Sequence, residues 1–118
     1  VLIHKDTSEK FSGKFSIKLN DTPYEQEERI HNQKLPAVKY FVRKNKIDKE
    51  LFKNQKSSIG IVSAGKNWLD LMSSLAMLGL DETRCKELGI TCYKVGVIWP
   101  LEDQNFKIWA KNLKTIII

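Results

Sequence analysis

The chain has 118 residues, of which 42% are hydrophobic and 29% charged, as in a soluble globular domain, and it is too short for two separate cores. No apolar run approaches the roughly 20 residues of a membrane-spanning helix, and the first residues lack the apolar core of a signal peptide. The two cysteines, Cys85 and Cys92, lack the repeated close spacing of a zinc or iron–sulfur site. We therefore expect free thiols in a cytoplasmic protein.

The net charge of +6 comes largely from a basic stretch between residues 34 and 56. Its cations are Lys34, Lys39, Arg43, Lys44, Lys46, Lys49, Lys53 and Lys56. Such a stretch could contact nucleic acid or an acidic partner protein. No nucleic-acid-binding motif accompanies it, so we expect no nucleic-acid partner and interpret the stretch as a solvated helix face.

The N-terminal part predicts an extended arm followed by a helix. Phe15, Ile17 and Leu19 alternate with polar residues, as in a short strand or an extended segment that lies on a neighbouring element. The sequence at 22–25, Thr-Pro-Tyr-Glu, can form a capping box with proline at the first helical position, and so begins a helix. Pro36 should kink or restart that helix. The buried stripe of its second half should be Val38, Phe41 and Val42.

From residue 58 onward, apolar runs alternate with amphipathic segments. The runs predict strands near 58–63, 91–98 and 115–118, with Val95, Val97 and Ile98 buried and Trp99 packed at the end of the second strand. Asp81 should cap a short helix that ends at Gly89. The other two helices have buried stripes, which are Trp68, Met72, Leu75 and Ala76 in the first and Phe106, Trp109, Ala110 and Leu113 in the last.

This order of elements predicts an α/β fold, because strands separated by helices form right-handed crossovers in a parallel sheet. We expect a mainly parallel sheet in a three-layer α/β/α arrangement, preceded by a helical linker. Residues 1–56 would form the extended arm and helical connector. Residues 57–118 would form the α/β domain, which we expect to continue beyond its third strand in a longer protein.

The segment Gly60–Asn67 approaches the phosphate-loop pattern G-x-x-x-x-G-K. A phosphate loop needs its first glycine after the strand, whereas Gly60 lies inside the predicted strand, and this disfavours nucleotide binding. What remains is a turn at the carboxyl end of that strand, which could hold an anion or contact another domain. Its residues are Ser63, Ala64, Gly65 and Lys66. Glu102 and Asp103 lie at the start of the last predicted helix, where capping and the helix dipole explain them. No nucleophile–base pair, cofactor motif or metal cluster emerges, so we predict no catalytic, cofactor-binding or metal-binding residues in this chain.

Two segments resemble one enzyme family. They are Ser63-Ala64-Gly65-Lys66 with Leu69-Asp70, and Lys94-Val95-Gly96-Val97-Ile98-Trp99-Pro100-Leu101. Both are similar to the transketolase C-terminal-like domain of indolepyruvate ferredoxin oxidoreductases. Earlier segments extend the resemblance to about residues 21–118, and these are Asp21–Glu27, Lys34–Ala37 and Asn45–Asp48.

The resemblance implies a domain of a larger cytoplasmic enzyme that oxidatively decarboxylates aryl pyruvates to acyl-CoA. Its cofactors would be thiamine diphosphate, magnesium and iron–sulfur clusters, its electron acceptor ferredoxin, and its partners the other domains or subunits of the enzyme. None of the cofactor motifs matches this chain, so the domain would be structural. A stand-alone α/β module that binds or regulates a protein through its basic surface stays an alternative.

Overall fold

A helical arm comes first along the chain, and a sheet with intervening helices follows. The computed structural model describes residues 15, 16 and 18–118. The elements are α1 (Pro23–Arg29), a π-helical turn (Ile30–Lys34), α2 (Leu35–Lys44), β1 (Lys49–Leu51), β2 (Ile59–Ala64), α3 (Gly65–Met77), α4 (Glu82–Leu88), β3 (Ile90–Val95), α5 (Asp103–Ala110) and β4 (Thr115–Ile117).

The helical arm begins and changes pitch where the sequence predicts. The Glu25 N–H donates to Thr22 Oγ1, and the Thr22 N–H donates to the Glu25 carboxylate at 2.8 Å, so the capping box is confirmed. The interruption at Pro36 takes the form of the π-helical turn just before it, in which the Leu35 N–H donates to the Ile30 carbonyl. Proline has no N–H to donate in the regular α-helical pattern. The change from α-helical to π-helical hydrogen bonding next to Pro36 therefore costs little.

The predicted extended segment falls largely outside the described residues, since positions 1–14 and 17 are not among them. Of its described apolar members, Phe15 is exposed to 39% and Leu19 is fully exposed in a turn. Leu19 therefore does not lie on a neighbouring element as predicted. Residues 15, 16 and 18–21 contain no strand.

The sheet has the order β1-β3-β2-β4. Strand β2 is parallel to β3 and β4, as expected for helix crossovers, but β1 runs antiparallel to β3. The prediction of a mainly parallel sheet is therefore corrected to a mixed sheet. The short edge strand β1 was not predicted, and it lies before residue 57. The division into residues 1–56 and 57–118 stays a prediction.

The second predicted strand ends three residues early. Strand β3 stops at Val95, Val97 is half-buried, and Ile98 and Trp99 are each exposed to 73%, so the predicted burial of Val97, Ile98 and Trp99 is wrong. The Gly96 N–H donates to Asp48 Oδ1 at 2.8 Å instead of to a strand. That bond leads the chain out of the sheet, so the apolar run continues on the surface.

Helices pack on both faces of the sheet. Alternate residues point to opposite sides, and the register pairs Val62 with Tyr93 and Ile61 with Cys92. One cluster lies under α5 and consists of Val62, Tyr93, Val95 and Trp109, with Ala64, Leu101, Phe106, Ala110 and Leu113 around it. The other lies under α3 and α4 and consists of Trp68, Leu75, Cys85 and Cys92, with Ile61, Leu71, Met72 and Leu80 among its neighbours.

The buried stripes of α3 and α5 are thus confirmed, except that Ala76 is exposed. In α2, Val42 is buried and Phe41 half-buried, but Val38 is 37% exposed, so its predicted burial is wrong. The short helix α4 also has the predicted ends. Asp81 accepts the Arg84 N–H at 2.8 Å, and Gly89 closes the helix with a φ of 71°, a conformation that glycine adopts without strain. The specific three-layer, transketolase C-terminal-like arrangement stays a prediction.

Close packing explains the glycine inside β2. A Cβ at Gly60 would lie 2.5 Å from Trp109 Cη2 and 2.6 Å from Leu113 Cδ1. Trp109 itself is fixed by a 3.1 Å hydrogen bond from Nε1 to Thr91 Oγ1. Gly60 is thus a contact point between β2 and α5, and its place within the strand agrees with the argument against a phosphate loop.

Candidate functional site

The turn singled out in the sequence and the loop after β3 meet at one edge of the sheet. Strands β2 and β3 are parallel and end together, because Ala64 pairs with Val95. The Ser63–Lys66 turn is the junction of β2 and α3, because Ser63 and Ala64 end the strand and Gly65 and Lys66 begin the helix, and the loop Gly96–Leu101 follows β3. Ligands of open α/β sheets gather at this carboxyl edge, so these two segments form the candidate site, called the carboxyl edge below.

The Ser63–Lys66 turn leads directly into α3. Ala64 is extended and offers no side-chain cap, and Gly65 begins the helix with a φ of +53°, which favours glycine. Lys66 is exposed and pairs with Asp70 one turn later, with Nζ–Oδ distances of 2.7 and 3.0 Å. Ser63 Oγ is buried and has no hydrogen-bond partner among the described residues. The turn therefore presents one cation to solvent, and Asp70 already partly neutralises it.

The loop after β3 is anchored at both ends. At its start, Asp48 accepts hydrogen bonds from the Gly96 N–H at 2.8 Å and from Tyr93 Oη at 3.0 Å. Burial and the nearby Asp48 carboxylate raise the pKa of Tyr93 well above its ordinary value, so the phenol stays protonated. At its end, the Trp99–Pro100 bond is cis and Pro100 is buried. Between these anchors, Ile98 and Trp99 are held out into solvent.

A buried carboxylate follows this loop. Glu102 is fully buried and caps α5, because it accepts the N–H groups of Gln104 at 3.1 Å and Asn105 at 2.9 Å. Arg43 of the helical arm donates to the same carboxylate from Nε at 2.9 Å and from Nη2 at 2.7 Å. Burial alone raises the pKa of Glu102, but these hydrogen bonds outweigh it and the pKa is lowered. Glu102 is therefore a charged joint between α2 and α5.

A second ion pair reinforces this joint. Asp103 accepts hydrogen bonds from Lys39 and Lys107, each at 3.0 Å, and these bonds hold its pKa below the ordinary range. Sequence reasoning assigned Glu102 and Asp103 to helix capping, which is correct for Glu102, but missed the contacts with α2. The sequence does contain one indication of these contacts, because Lys39 and Arg43 lie four residues apart and so share one face of the helix.

The basic stretch is partly structural. Besides Lys39 and Arg43, Lys53 donates to the carbonyl groups of Ile108 and Trp109 at 3.3 and 3.0 Å. Lys44 also lies over the ring of Tyr40, so four of its members contact parts of the same chain. The interpretation of the stretch as a purely solvated face is incomplete in this respect.

The remaining reactive side chains have structural surroundings. Cys85 and Cys92 are free and buried, and burial raises the pKa of Cys92 to about 11, so its thiol is protonated at neutral pH. Within residues 15, 16 and 18–118, no group of His, Cys, Asp and Glu side chains is arranged to hold a metal ion. The same part of the chain contains no helix with the length and apolar character to cross a membrane.

Residues 49–118 match the family model of the indolepyruvate oxidoreductase domain. The chain belongs to this family. No curated protein and no solved structure matches it. The match begins at the first residue of β1 and covers all four strands, so the indolepyruvate oxidoreductase domain includes the carboxyl edge and Glu102, while the helical arm precedes the match. The resemblance to the family is thus confirmed, and its extension over residues 21–48 lies outside the matched segment.

Proposed function

We propose that this chain is a structural domain of an enzyme that oxidatively decarboxylates indolepyruvate and related aryl pyruvates to acyl-CoA. The match of residues 49–118 to the indolepyruvate oxidoreductase domain carries this proposal. In it, thiamine diphosphate, magnesium and iron–sulfur clusters bind to other domains of the parent enzyme, which is cytoplasmic and passes electrons to ferredoxin.

The structural role is supported by how the ionisable side chains are used. Glu102 joins two helices, Tyr93 donates to Asp48, and the buried Cys92 thiol has a raised pKa. Each of these groups is held by contacts or burial within the structure. Each therefore keeps a single protonation state at neutral pH. We propose that the sheet, with helices on both faces, is the transketolase C-terminal-like layer arrangement that the sequence resembles.

Within the parent enzyme, we propose that the Ser63–Lys66 turn contacts another domain or subunit. Lys66 is exposed, and nothing lies within 4 Å of the position where a Cβ of Gly65 would be, so the surface above the turn is open. The uncapped N–H groups at the start of α3 suit a partner's carboxylate there.

The contact role is tested by Lys66→Ala in the parent enzyme. We expect less assembled enzyme or a lower melting temperature, with unchanged turnover of an aryl pyruvate per assembled molecule. Lys86→Ala is the matched control, because Lys86 makes the same kind of pair with Glu82 four residues away on α4. A collapse of turnover in fully assembled enzyme would instead identify Lys66 as an active-site residue.

The assignment of the cofactor to other domains has its own test. Calorimetric titration of the isolated chain with thiamine diphosphate and magnesium should give no binding at micromolar concentrations. The parent enzyme, titrated in the same way after removal of its cofactor, should bind. Micromolar binding by the isolated chain would contradict a purely structural role.

A further inference from the structure

A groove lies between the helical arm and the loop after β3. It has a volume of about 570 Å³, and its walls include Leu35, Pro36, Lys39, Tyr40, Arg43 and Trp99. One wall belongs to α2, which precedes the family match, and the other to the matched domain. The Glu102–Arg43 and Asp103–Lys39 pairs join the two walls.

The groove combines an apolar rim with an excess of accessible positive charge. Trp99 is 73% exposed on the rim, and Ile98 beside it is equally exposed. The charge that an occupant of the groove would meet depends on how exposed each charged side chain is. The exposed fractions are 35% for Lys39 and 28% for Arg43, which line the groove, and 74% for Lys107, which lies outside the lining and pairs with Asp103. On the negative side they are 39% for Asp103 and zero for Glu102.

Two cations of the lining, Lys39 and Arg43, therefore meet one accessible carboxylate, and Lys107 adds a positive charge beside that carboxylate. Within the described part of the chain, the bonds from Arg43 to Glu102 use Nε and Nη2. Nη1 is the third nitrogen of that guanidinium, and it suits a further acceptor because arginine binds carboxylates through several donors at once. A negatively charged group is the complementary occupant.

The apolar surface favours a polypeptide over a small molecule. Ile98 and Trp99 continue the apolar rim beyond the groove, so an occupant that covers them must extend over the outer surface of the loop. The loop that presents them is anchored by Asp48 and the buried Pro100, so little conformational entropy is lost when they are covered. Exposed tryptophan and arginine side chains, such as Trp99 and Arg43 in this groove, are the kinds that dominate binding energy in protein interfaces.

We propose that this groove binds an acidic segment of another domain or subunit of the parent enzyme, with an aromatic or long aliphatic side chain of that segment packed against Trp99. This proposal rests on the proposed function only in that the chain must be part of a larger enzyme. It adds a second interface, which spans the family domain and the helical arm, to the Ser63–Lys66 turn.

Site-specific photocrosslinking in the parent enzyme tests the proposal. With p-benzoylphenylalanine in place of Trp99, we expect a crosslink to one peptide outside these 118 residues that contains Asp or Glu within a few positions of an aromatic or aliphatic residue. Its yield should fall several-fold when the salt concentration rises from about 0.05 M to about 0.5 M, because salt screens the attraction. The matched control is the same probe at Leu78, which is also 73% exposed but lies at the far end of α3.

Four results would overturn the proposal. They are crosslinks confined to these 118 residues, a captured peptide without acidic residues, the same peptide captured from Leu78, and a small molecule bound to the parent that Trp99→Ala releases in native mass spectrometry. The readout does not depend on turnover. An acidic peptide captured by a parent enzyme that does not oxidise aryl pyruvates would therefore support the groove and refute only the proposed reaction.

Discussion

At the level of single residues, the packing of β2 against α5 depends on the missing side chain of Gly60. Trp109 occupies the space that a Cβ would need, and its indole is held by Thr91, which in turn donates to the Leu51 carbonyl at 2.8 Å. One glycine, one tryptophan and one threonine thus connect β1, β2, β3 and α5. The tryptophan cannot move aside without breaking a buried hydrogen bond.

We expect Gly60→Ala to lower the free energy of unfolding by about 2–3 kcal/mol, the upper part of the range for overpacked cores. Urea denaturation followed by tryptophan fluorescence measures this loss. Gly79→Ala is the control, because Gly79 has a φ of +67° and nothing within 4 Å of the added Cβ. It should cost only the conformational penalty of about 1 kcal/mol. Equal losses in the two variants would show that Trp109 can adapt.

At the level of elements, two helices with similar caps differ in what they pack against. Thr22 caps α1, which buries no residue, whereas Asp81 caps α4, which buries Cys85. Loss of the cap should therefore destabilise only the helix itself in α1, but the whole domain in α4. The reason is that the stability of most protein helices comes from the packing of an apolar face.

Thr22→Ala should increase hydrogen exchange across Pro23–Arg29 and leave the melting temperature of the domain unchanged. Asp81→Ala should lower the free energy of unfolding of the whole domain by about 1 kcal/mol, the usual cost of losing a cap. Hydrogen exchange with mass spectrometry and thermal denaturation separate the two effects. A melting temperature that falls equally in both variants would mean that α1 packs on the domain more than its exposure indicates.

Local sequence patterns identified most of the elements. The strands near 58–63 and 115–118 and the stripes of α3 and α5 follow from runs and periodicities that are complete within a few residues. Strand β1 has three residues and no alternation, so it had no comparable signal. The predicted end of β3 is wrong because an apolar run does not show whether its residues lie in the core or on the surface. Ile98 and Trp99 lie on the surface.

The candidate site was only half predictable for a related reason. The Ser63–Lys66 turn is contiguous, so a local pattern predicts it, and it lies at the carboxyl edge as expected, while its role stays a prediction. The joint at Glu102 depends on Arg43, which lies 59 residues away in the chain. No local pattern reports such a pair, and the capping role of Glu102 already gave a sufficient explanation of its sequence position.

At the level of the whole molecule, the arm makes the shape elongated. The radius of gyration is 18.0 Å, with extents of 58 × 27 × 24 Å, whereas a compact domain of this length would have about 13–14 Å. The arm is tied to the domain by the pairs at Glu102 and Asp103, so the relative position of arm and domain depends on two ionised carboxylates.

This dependence predicts acid sensitivity. The pKa values of Glu102 and Asp103 are lowered in the folded state, so both carboxylates stabilise the fold above their ordinary values of 4.5 and 3.8. That stability is lost as the pH falls through the lowered values, because protonation then removes the ion pairs. We expect the melting temperature to decrease steadily as the pH falls below about 4.5.

Glu102→Gln should flatten the upper part of this acid transition and lower the free energy of unfolding at neutral pH by about 2–3 kcal/mol, because Arg43 loses its partner. Glu87→Gln is the control, since Glu87 makes only an exposed pair with Arg84, and such pairs contribute little. Thermal denaturation of the three proteins at a series of pH values provides the measurement. A pH profile of Glu102→Gln that runs parallel to that of the unchanged protein would show that Glu102 does not titrate with folding.

The buried charge at Glu102 also has an evolutionary consequence. Its neutralising partner belongs to a helix that precedes the family match, so a relative that lacks this helix would retain an unpaired carboxylate in its core, which proteins rarely tolerate. Positions 43 and 102 should therefore change together across the family, and relatives without the helix should have an uncharged cap at position 102. The residue at that single position would then indicate, from sequence alone, which members of the family are built with a helical arm.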